Sequence, residues 1–235
     1  MIPIRDDAPR FTTPWVNYFI IALNSLVFLF EVALAPEARS VLIYHFGVVP
    51  AQITALVTPH HGALEPALLP VLTSMFLHGS WMHLIGNMWF LWIFGDNIED
   101  HLGHGRYLAF YLLSGVAAST LHTLLNPNSL VPSVGASGAI AGVMGAYFLL
   151  YPSARVLTLV PFFFIYFIWL PAWVMLGYWF VVQFLMGAAT AITYSKDSGG
   201  GIAFWAHVGG FLTGLLLIKV FPQQARRYRY GYWQG

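Results

Sequence analysis

Long apolar stretches separated by short polar turns run along the chain and predict helices that cross a membrane. The first stretch, residues 15–35, has roughly the twenty residues needed to span about 30 Å of hydrocarbon. Ala33-Leu34-Ala35 at its end resembles a signal-peptide cleavage site. The stretch is longer than a typical signal-peptide core, so we interpret it as the first transmembrane helix. Further apolar stretches cover residues 78–99, 107–125, 171–191 and 202–221.

One further apolar stretch is too short to cross a bilayer. Fifteen residues run from Ser137 to Tyr151, and Pro152 follows. At a rise of 1.5 Å per residue they form about 22 Å of helix, less than the ~30 Å of hydrocarbon. The helix must therefore start below one membrane surface, beside protein or a water-filled cavity. The pattern predicts an all-α membrane protein with six transmembrane helices, a short central fourth helix and a wet pocket at Ser137.

The connections between the predicted spans differ in character. Residues 36–72 contain too many prolines for a span and too many apolar residues for a solvated linker, which predicts an interfacial loop. Residues 156–170 predict an aromatic connection between the fourth and fifth helices, and residues 195–201 predict a flexible glycine loop. The predicted organisation is an N-terminal segment (1–14), one membrane domain (15–221) and a basic tail (222–235).

Composition narrows the class of protein. Hydrophobic residues make up 58% of the chain and charged residues only 8%, too little polar surface for a water-soluble domain of this size. No basic run among aromatic residues is long enough to suggest a nucleic-acid surface, so we expect no nucleic-acid partner. The chain has no cysteine, which excludes disulfides, thiolate metal ligands and a cysteine nucleophile. We expect the lipid bilayer to be the main environment of the chain.

Lys and Arg side chains are distributed unevenly between the two sides that six spans would define. One side would carry Arg5, Arg10, Arg106, Arg155, Lys219, Arg226, Arg227 and Arg229, and the other Arg39 and Lys196. Because Lys and Arg accumulate on the cytoplasmic side, we expect both termini in the cytoplasm and a bacterial or archaeal plasma membrane. The starts of the second, fourth and sixth helices would then face outward, so Ser137, His83 and His207 would converge.

A serine and a histidine in the apolar sequence are candidates for a catalytic pair. Polar groups at membrane depth are costly and usually functional. A serine hydroxyl becomes nucleophilic when a base takes its proton, and neutral imidazole is the commonest base, so Ser137 is the candidate nucleophile and His207 the candidate base. Small residues that let the two helices approach closely flank both side chains. They include Gly138 and Gly142 on the fourth helix and Gly210 and Gly214 on the sixth.

Hydrogen-bond donors for a negatively charged intermediate are also present. The backbone N–H of Ser137 is at the start of a helix, where N–H groups have no intrahelical partner. His83 and Asn87 are four residues apart and share one face of the second helix, so both can donate to an oxyanion. Alternatively, these side chains, like Ser137 and His207, have a structural role only and join helices through hydrogen bonds. We expect His78 to have such a role or to anchor a loop.

Three ordered motifs resemble those of the rhomboid family of intramembrane serine proteases. They are MFLHGSWMHLIGN at 75–87, GASG at 135–138 and AHVGGF at 206–211. The resemblance implies a six-helix rhomboid bundle without a cofactor and a Ser137–His207 dyad assisted by His83 and Asn87. It also implies single-pass membrane proteins as substrates, admitted past the fifth helix and the loop before the sixth. The chain has Ala141 where many members carry an aromatic residue that supports the histidine ring.

Other classes of protein fit the sequence less well. A zinc protease would need a motif such as His-Glu-x-x-His, which does not occur, and His60 and His61 are in a proline-containing loop. We therefore expect no metal site. A transporter would show broken helices in two repeated halves, and only the fourth helix is short. The remaining alternative is a rhomboid-like protein that binds client helices without cleaving them.

Overall fold

The computed structural model describes residues 1–57, 65–193 and 203–224, which are mostly helical. The chain begins with a short strand, which is followed by one long helix and then by three short helices. The helices are α1 (Trp15–Ala33), α2 (Pro36–Phe46), α3 (Pro50–Val57), α4 (Glu65–Thr73), α5 (Trp81–Leu102), α6 (His104–Leu125), α7 (Ser137–Leu150), α8 (Ala172–Thr193) and α9 (Phe204–Val220). The strands are β1 (Ile2–Asp6), β2 (Arg155–Phe162) and β3 (Phe164–Pro171).

Three helices in the described part of the chain are long and apolar enough to cross a membrane. They are α1, α6 and the segment Ala172–Thr190 of α8. α7 and α9 are shorter apolar helices. α5 has 22 residues, but acidic side chains crowd its last two turns. The chain is therefore a mostly helical membrane protein.

A three-stranded sheet departs from the expected all-α fold. β2 and β3 form an antiparallel hairpin, and β1 pairs antiparallel with β2. The aromatic and β-branched residues of 156–170 favour strands, but they are apolar on both faces, so no alternation marks them in the sequence. The pairing also joins segments far apart in the chain. The backbone N–H and guanidinium of Arg155 donate to Asp7 next to β1 and lower the pKa of its carboxyl group.

The segment predicted as an interfacial loop contains α2, α3 and α4. Pro36 and Pro50 are the first residues of α2 and α3, where proline is well tolerated because its missing N–H would have no partner. The prolines that led to the prediction of a loop therefore mark the starts of two short helices. His60 and His61, the predicted glycine loop and residues 225–235 of the predicted basic tail lie outside the described residues.

A buried carboxylate anchors the start of α1 to the end of α5. Glu99 accepts hydrogen bonds from the backbone N–H groups of Val16 and Asn17, at 2.9 and 2.7 Å. The N-cap of α1 is Pro14, whose side chain makes no capping hydrogen bond, so Glu99 supplies the acceptor that a capping side chain would provide. This contact fixes α5, the helix that carries His83 and Asn87, relative to the first helix.

α7 is largely buried and packs closely against α9. Ten of its residues, from Gly138 to Tyr147, are buried. A Cβ atom added at Gly210 would lie 2.0 Å from the carbonyl oxygen of Gly138, and one at Gly214 would lie 1.9 Å from that of Gly142. Any larger residue would collide with backbone at both positions. Gly210 and Gly214 therefore permit the helix contact that brings the starts of α7 and α9 together, whereas a Cβ atom at Gly138 or Gly142 would collide with Ala118 or Ser114 of α6.

Candidate active site

Ser137 and His207 are in hydrogen-bond contact. Ser137 is the first residue of α7 and His207 is in the first turn of α9. The distance between Ser137 Oγ and His207 Nε2 is 2.8 Å, within the range in which a base can take a proton from a hydroxyl. Both residues come from helix starts at one end of the bundle, so the glycine contact between α7 and α9 sets this distance.

The second ring nitrogen of His207 contacts a residue that the sequence analysis missed. His207 Nδ1 and Gln183 Oε1 of α8 are 2.7 Å apart. Because the amide oxygen only accepts, Nδ1 carries the proton and Nε2 presents its lone pair to Ser137. The available signal was a glutamine within an apolar helix, since polar groups at that depth usually have a function.

Trp179 also supports the ring of His207. The two ring centroids are 5.7 Å apart with planes tilted by 35°. Ala141, at the position where many rhomboids carry an aromatic residue, is fully buried. A Cβ atom added at Gly210 would lie only 3.2 Å from the Ala141 side chain, so the close helix contact leaves little room there. In this chain the aromatic support for His207 comes from α8.

His83 and Asn87 face the loop that leads into Ser137. Gly135 in that loop has a φ of +128°, and an added Cβ would lie 2.7 Å from the ring of His83 and 3.6 Å from Asn87 Nδ2. Only glycine satisfies both the backbone conformation and the close approach. The structure thus brings both predicted oxyanion donors beside the start of α7.

His78 holds the Asn87 side chain in place. The distance between Asn87 Nδ2 and His78 Nε2 is 3.0 Å, and the amide nitrogen donates because it has no lone pair to accept with. His78 is itself fixed, since its backbone N–H donates to the buried carboxylate of Glu31 at 3.0 Å. One of the two Asn87 N–H groups is therefore used by His78, and the other remains for a substrate oxygen.

Two cavities meet at Ser137 and His207. The larger, about 870 Å³, is also lined by polar side chains that the sequence analysis did not single out, among them Ser119, His122 and Asn126. The smaller, about 190 Å³, lies between α5 and α8 and is lined by Met82, Phe90 and Trp179 as well. The larger cavity therefore brings polar side chains next to Ser137 and His207, as the predicted wet pocket requires.

The histidines do not gather into a metal site in the described part of the chain. No group of three or more His, Asp or Glu side chains there could hold a metal ion. The pair His78 and His83 is close, with ring centroids 5.1 Å apart, but one ring bonds Asn87 and the other faces Gly135. The chemistry of this site is that of a hydroxyl, an imidazole and amide donors.

The sequence matches a known family over most of its length. The profile of the rhomboid domain matches residues 65–224, which is more than half of the chain and includes the whole site. The protein belongs to the rhomboid family. Rhomboid-family proteins are generally serine proteases.

Curated relatives add detail to this membership. The presenilin-associated rhomboid-like protein A, mitochondrial, of Danio rerio is 30% identical over 208 residues, covering 85% of this chain and 46% of that protein. Rhomboid protein 1, mitochondrial, of Saccharomyces cerevisiae is 32% identical over 169 residues, covering 68% and 44%. Rhomboid-like protein 11, chloroplastic, of Arabidopsis thaliana is 32% identical over 162 residues, covering 65% and 52%. The chain spans about half the length of these relatives.

The names of these relatives contradict the expected localisation. The sequence predicts a bacterial or archaeal plasma membrane with cytoplasmic termini, whereas the relatives are named as mitochondrial and chloroplastic proteins. That prediction is wrong on this comparison. Charge asymmetry reports which side of a membrane a loop faces, but it does not report which membrane contains the protein.

Proposed function

We propose that this protein is an intramembrane serine endopeptidase that cleaves transmembrane segments of single-pass membrane proteins. The observation that carries the proposal is the 2.8 Å contact between Ser137 Oγ and His207 Nε2 in a cavity that is partly lined by polar side chains. A hydroxyl and an imidazole in this geometry are a nucleophile and its base. Membership in a family that generally consists of serine proteases supports the same reading.

The proposed reaction begins when Ser137 Oγ attacks the scissile carbonyl and His207 Nε2 takes the hydroxyl proton. Negative charge then develops on the carbonyl oxygen, and the backbone N–H of Ser137, the free N–H of Asn87 and the His83 ring are its donors. The imidazolium returns its proton to the leaving amine, which leaves an acyl-enzyme. Water from the cavity, deprotonated by His207, releases the acid and restores Ser137.

The proposal includes a membrane arrangement of six spans, namely α1, α5, α6, α7, α8 and α9. α7 has 14 residues, or about 21 Å of helix at 1.5 Å per residue, shorter than the ~30 Å of hydrocarbon. With one end of α7 at a membrane surface, the end with Ser137 is submerged. The larger cavity would then bring water to that depth.

Substrates would reach Ser137 sideways from the bilayer. The smaller cavity between α5 and α8 is lined by Met82 and Trp179 and also by Ser137 and His207, so it leads from the flank of the bundle to the dyad. In an intact helix the carbonyl groups accept intrahelical hydrogen bonds and are not accessible to the nucleophile. Substrates with helix-weakening residues near the cleavage point are therefore the ones this site would cut.

The proposal is tested by reconstituting the full chain with a single-pass substrate whose transmembrane helix contains glycine or proline. The unmodified protein should cleave it, and Ser137→Ala and His207→Ala should abolish cleavage. Ser119→Ala is the matched control, because Ser119 lines the same cavity and should tolerate the change. Cleavage that survives Ser137→Ala removes this serine from the mechanism.

Covalent labelling separates the protease from a protein that only binds client helices. A fluorophosphonate should label the unmodified protein at Ser137 and should not label His207→Ala, because labelling requires the base. A client-binding protein would hold the substrate through detergent purification without cutting it and without becoming labelled. Labelling of Ser137 that persists in His207→Ala would show that His207 is not the base.

A further inference from the structure

The hairpin formed by β2 and β3 presents apolar side chains on both of its faces. On β3 the exposed fractions are 75% for Phe164, 66% for Ile165 and 63% for Phe167. Neighbouring strand residues point to opposite faces, so neither face of β3 is covered. Residues 156–171 contain no charged residue. Such a surface is far more apolar than water-exposed strands normally are.

Contacts of β1 and of the residues that follow it show how far the hairpin extends along the bundle. Arg10 forms an ion pair with Asp96 of α5 at 3.2 Å. Pro3 lies further along the same helix, where its carbonyl oxygen accepts a hydrogen bond from the Trp89 indole. The seven residues between Trp89 and Asp96 correspond to about 10 Å of helix. β1 therefore runs from the charged end of α5 towards its apolar middle.

The hairpin continues in the same direction beyond the end of β1. Asp6 pairs with Val156 and Ile2 with Leu159, so β2 runs alongside β1 towards the middle of α5. β2 then continues beyond Ile2, the first residue of β1. β3 returns along β2 and leads directly into α8, which begins at Ala172 and contains a candidate membrane span. The apolar end of the hairpin thus lies further from the charged end of α5 than β1 does.

Charged residues are confined to the base of the sheet. Arg155 and Asp7 form an ion pair at 2.8 Å, and the guanidinium groups of Arg5 and Arg155 lie 5.5 and 5.8 Å from the ring of Trp169. Arginine and tryptophan together are typical of the region where lipid headgroups meet the acyl chains. The gradient from a charged base to an apolar end matches the gradient of polarity across one leaflet.

The turn of the hairpin is built from an unfavourable residue. Phe163 has a φ of +53°, a conformation that glycine or asparagine adopts easily and a bulky residue does not. The sequence therefore keeps a large aromatic side chain at the end of the hairpin at a cost in backbone strain. That cost is understandable where the aromatic group gains contact with an apolar phase.

We propose that the β2–β3 hairpin is inserted into one leaflet of the bilayer, with its aromatic side chains among the lipid acyl chains and its charged base at the headgroups. β3 is the outer strand of the described sheet, and open strand edges do not occur within the hydrocarbon core. The exposed edge of β3 therefore stays outside the hydrocarbon core, and only the apolar side chains reach the acyl chains.

The native chain has no cysteine, so one introduced cysteine can carry a nitroxide at a chosen place. Ile165→Cys probes the hairpin in full-length protein reconstituted into phosphatidylcholine vesicles. Leu26→Cys on α1, 64% exposed at a candidate span, is the lipid control, and Ser153→Cys in the exposed turn before β2 is the water control. Collision with oxygen reports lipid, and collision with a water-soluble nickel chelate reports water.

The expected result is an oxygen-to-nickel collision ratio at residue 165 that is several-fold above that of residue 153 and approaches that of residue 26. A ratio equal to that of residue 153 would place the hairpin in water and overturn the proposal. Protection from both reagents, with spin–spin broadening, would show that a second copy of the chain covers it and would equally overturn the proposal. Phe167→Cys repeats the measurement if Ile165→Cys lowers the yield of folded protein.

Discussion

His207 is held at both ring nitrogens and on one face in this structure. Ser137 bonds Nε2, Gln183 bonds Nδ1 and Trp179 packs against the ring. A base must present its lone pair to the nucleophile in the correct tautomer, and a fixed partner on the other nitrogen selects that tautomer. Unlike a carboxylate, the Gln183 amide is neutral, so it orients the ring without supplying a charge to stabilise the imidazolium.

We expect Gln183→Leu to lower the cleavage rate. The change removes the acceptor for Nδ1 at nearly constant volume and leaves a buried N–H without a partner, a loss of about 1 to 3 kcal/mol. The same energy corresponds to a decrease in kcat of about 5- to 150-fold, with KM nearly unchanged because Gln183 acts through His207. Steady-state cleavage of a single-pass substrate in detergent or vesicles measures both constants.

Two further variants show whether Gln183 acts by positioning His207. Gln183→Glu keeps an oxygen acceptor in the same place and should retain more activity than Gln183→Leu. Val181→Leu is a control on the same helix, since Val181 is 52% exposed on its outer surface. Equal rates for Gln183→Leu and the unmodified protein would show that the 2.7 Å contact does not matter for catalysis.

The sequence indicates some site residues and cannot indicate others. Ser137 stands out because the stretch after it is too short for a span, and His83 and Asn87 because helical periodicity places them on one face. The sequence does not indicate that Gln183 contacts His207, because this contact depends on the angle at which α8 packs against α9. Trp179 in a membrane helix likewise gives no indication that its ring supports the base.

At the scale of elements, the contact between α7 and α9 controls the distance between the side chains of Ser137 and His207. Gly214 is two helical turns beyond His207, against Gly142 of α7. An added Cβ there would lie 1.9 Å from the Gly142 carbonyl oxygen and 2.6 Å from its carbon. Because the clash is with backbone, no side-chain rotation relieves it, and the two helices must separate.

Gly214→Ala should therefore reduce both stability and cleavage. Overpacking of this kind costs typically about 1 to 3 kcal/mol, and the separation of α7 from α9 would lengthen the contact between Ser137 and His207. Thermal unfolding in detergent measures the first effect and substrate cleavage the second. Gly105→Ala on α6 is the matched control, because an added Cβ there meets no atom within 4 Å and Gly105 lines neither cavity. Equal losses in both variants would contradict this account.

The sequence predicts the long helices better than the sheet. A predicted helix over 107–125 compares with His104–Leu125, and one over 171–191 with Ala172–Thr193, since long apolar stretches bounded by turns are unambiguous. The sheet is missed because a strand with two apolar faces has no periodicity of two. β1 is missed as well, because the N-terminal segment 1–14 looks too short and too polar to pair with another strand.

At the scale of the whole molecule, the site has two openings with different chemistry. The larger cavity has polar side chains such as His122 and Asn126 in its lining, which suits water. The smaller cavity is lined largely by apolar residues of α5, α7 and α8, including Met82, Phe90 and Met144, which suits a transmembrane segment arriving from lipid. Both end at Ser137 and His207, so substrate and water would approach the same bond from different sides.

The whole-molecule prediction is that joining α5 to α8 blocks the cleavage of transmembrane substrates. Met82 on α5 is 77% exposed and Met186 on α8 is 46% exposed. Since the native chain has no cysteine, Met82→Cys with Met186→Cys can be linked by reducible bifunctional thiol reagents of increasing length. Linked protein should lose cleavage, regain it on reduction, and still react with a fluorophosphonate, because that small reagent reaches Ser137 through the larger cavity. The single-cysteine variants treated with the same reagents control for modification alone, and full cleavage by completely linked protein would exclude passage between these two helices.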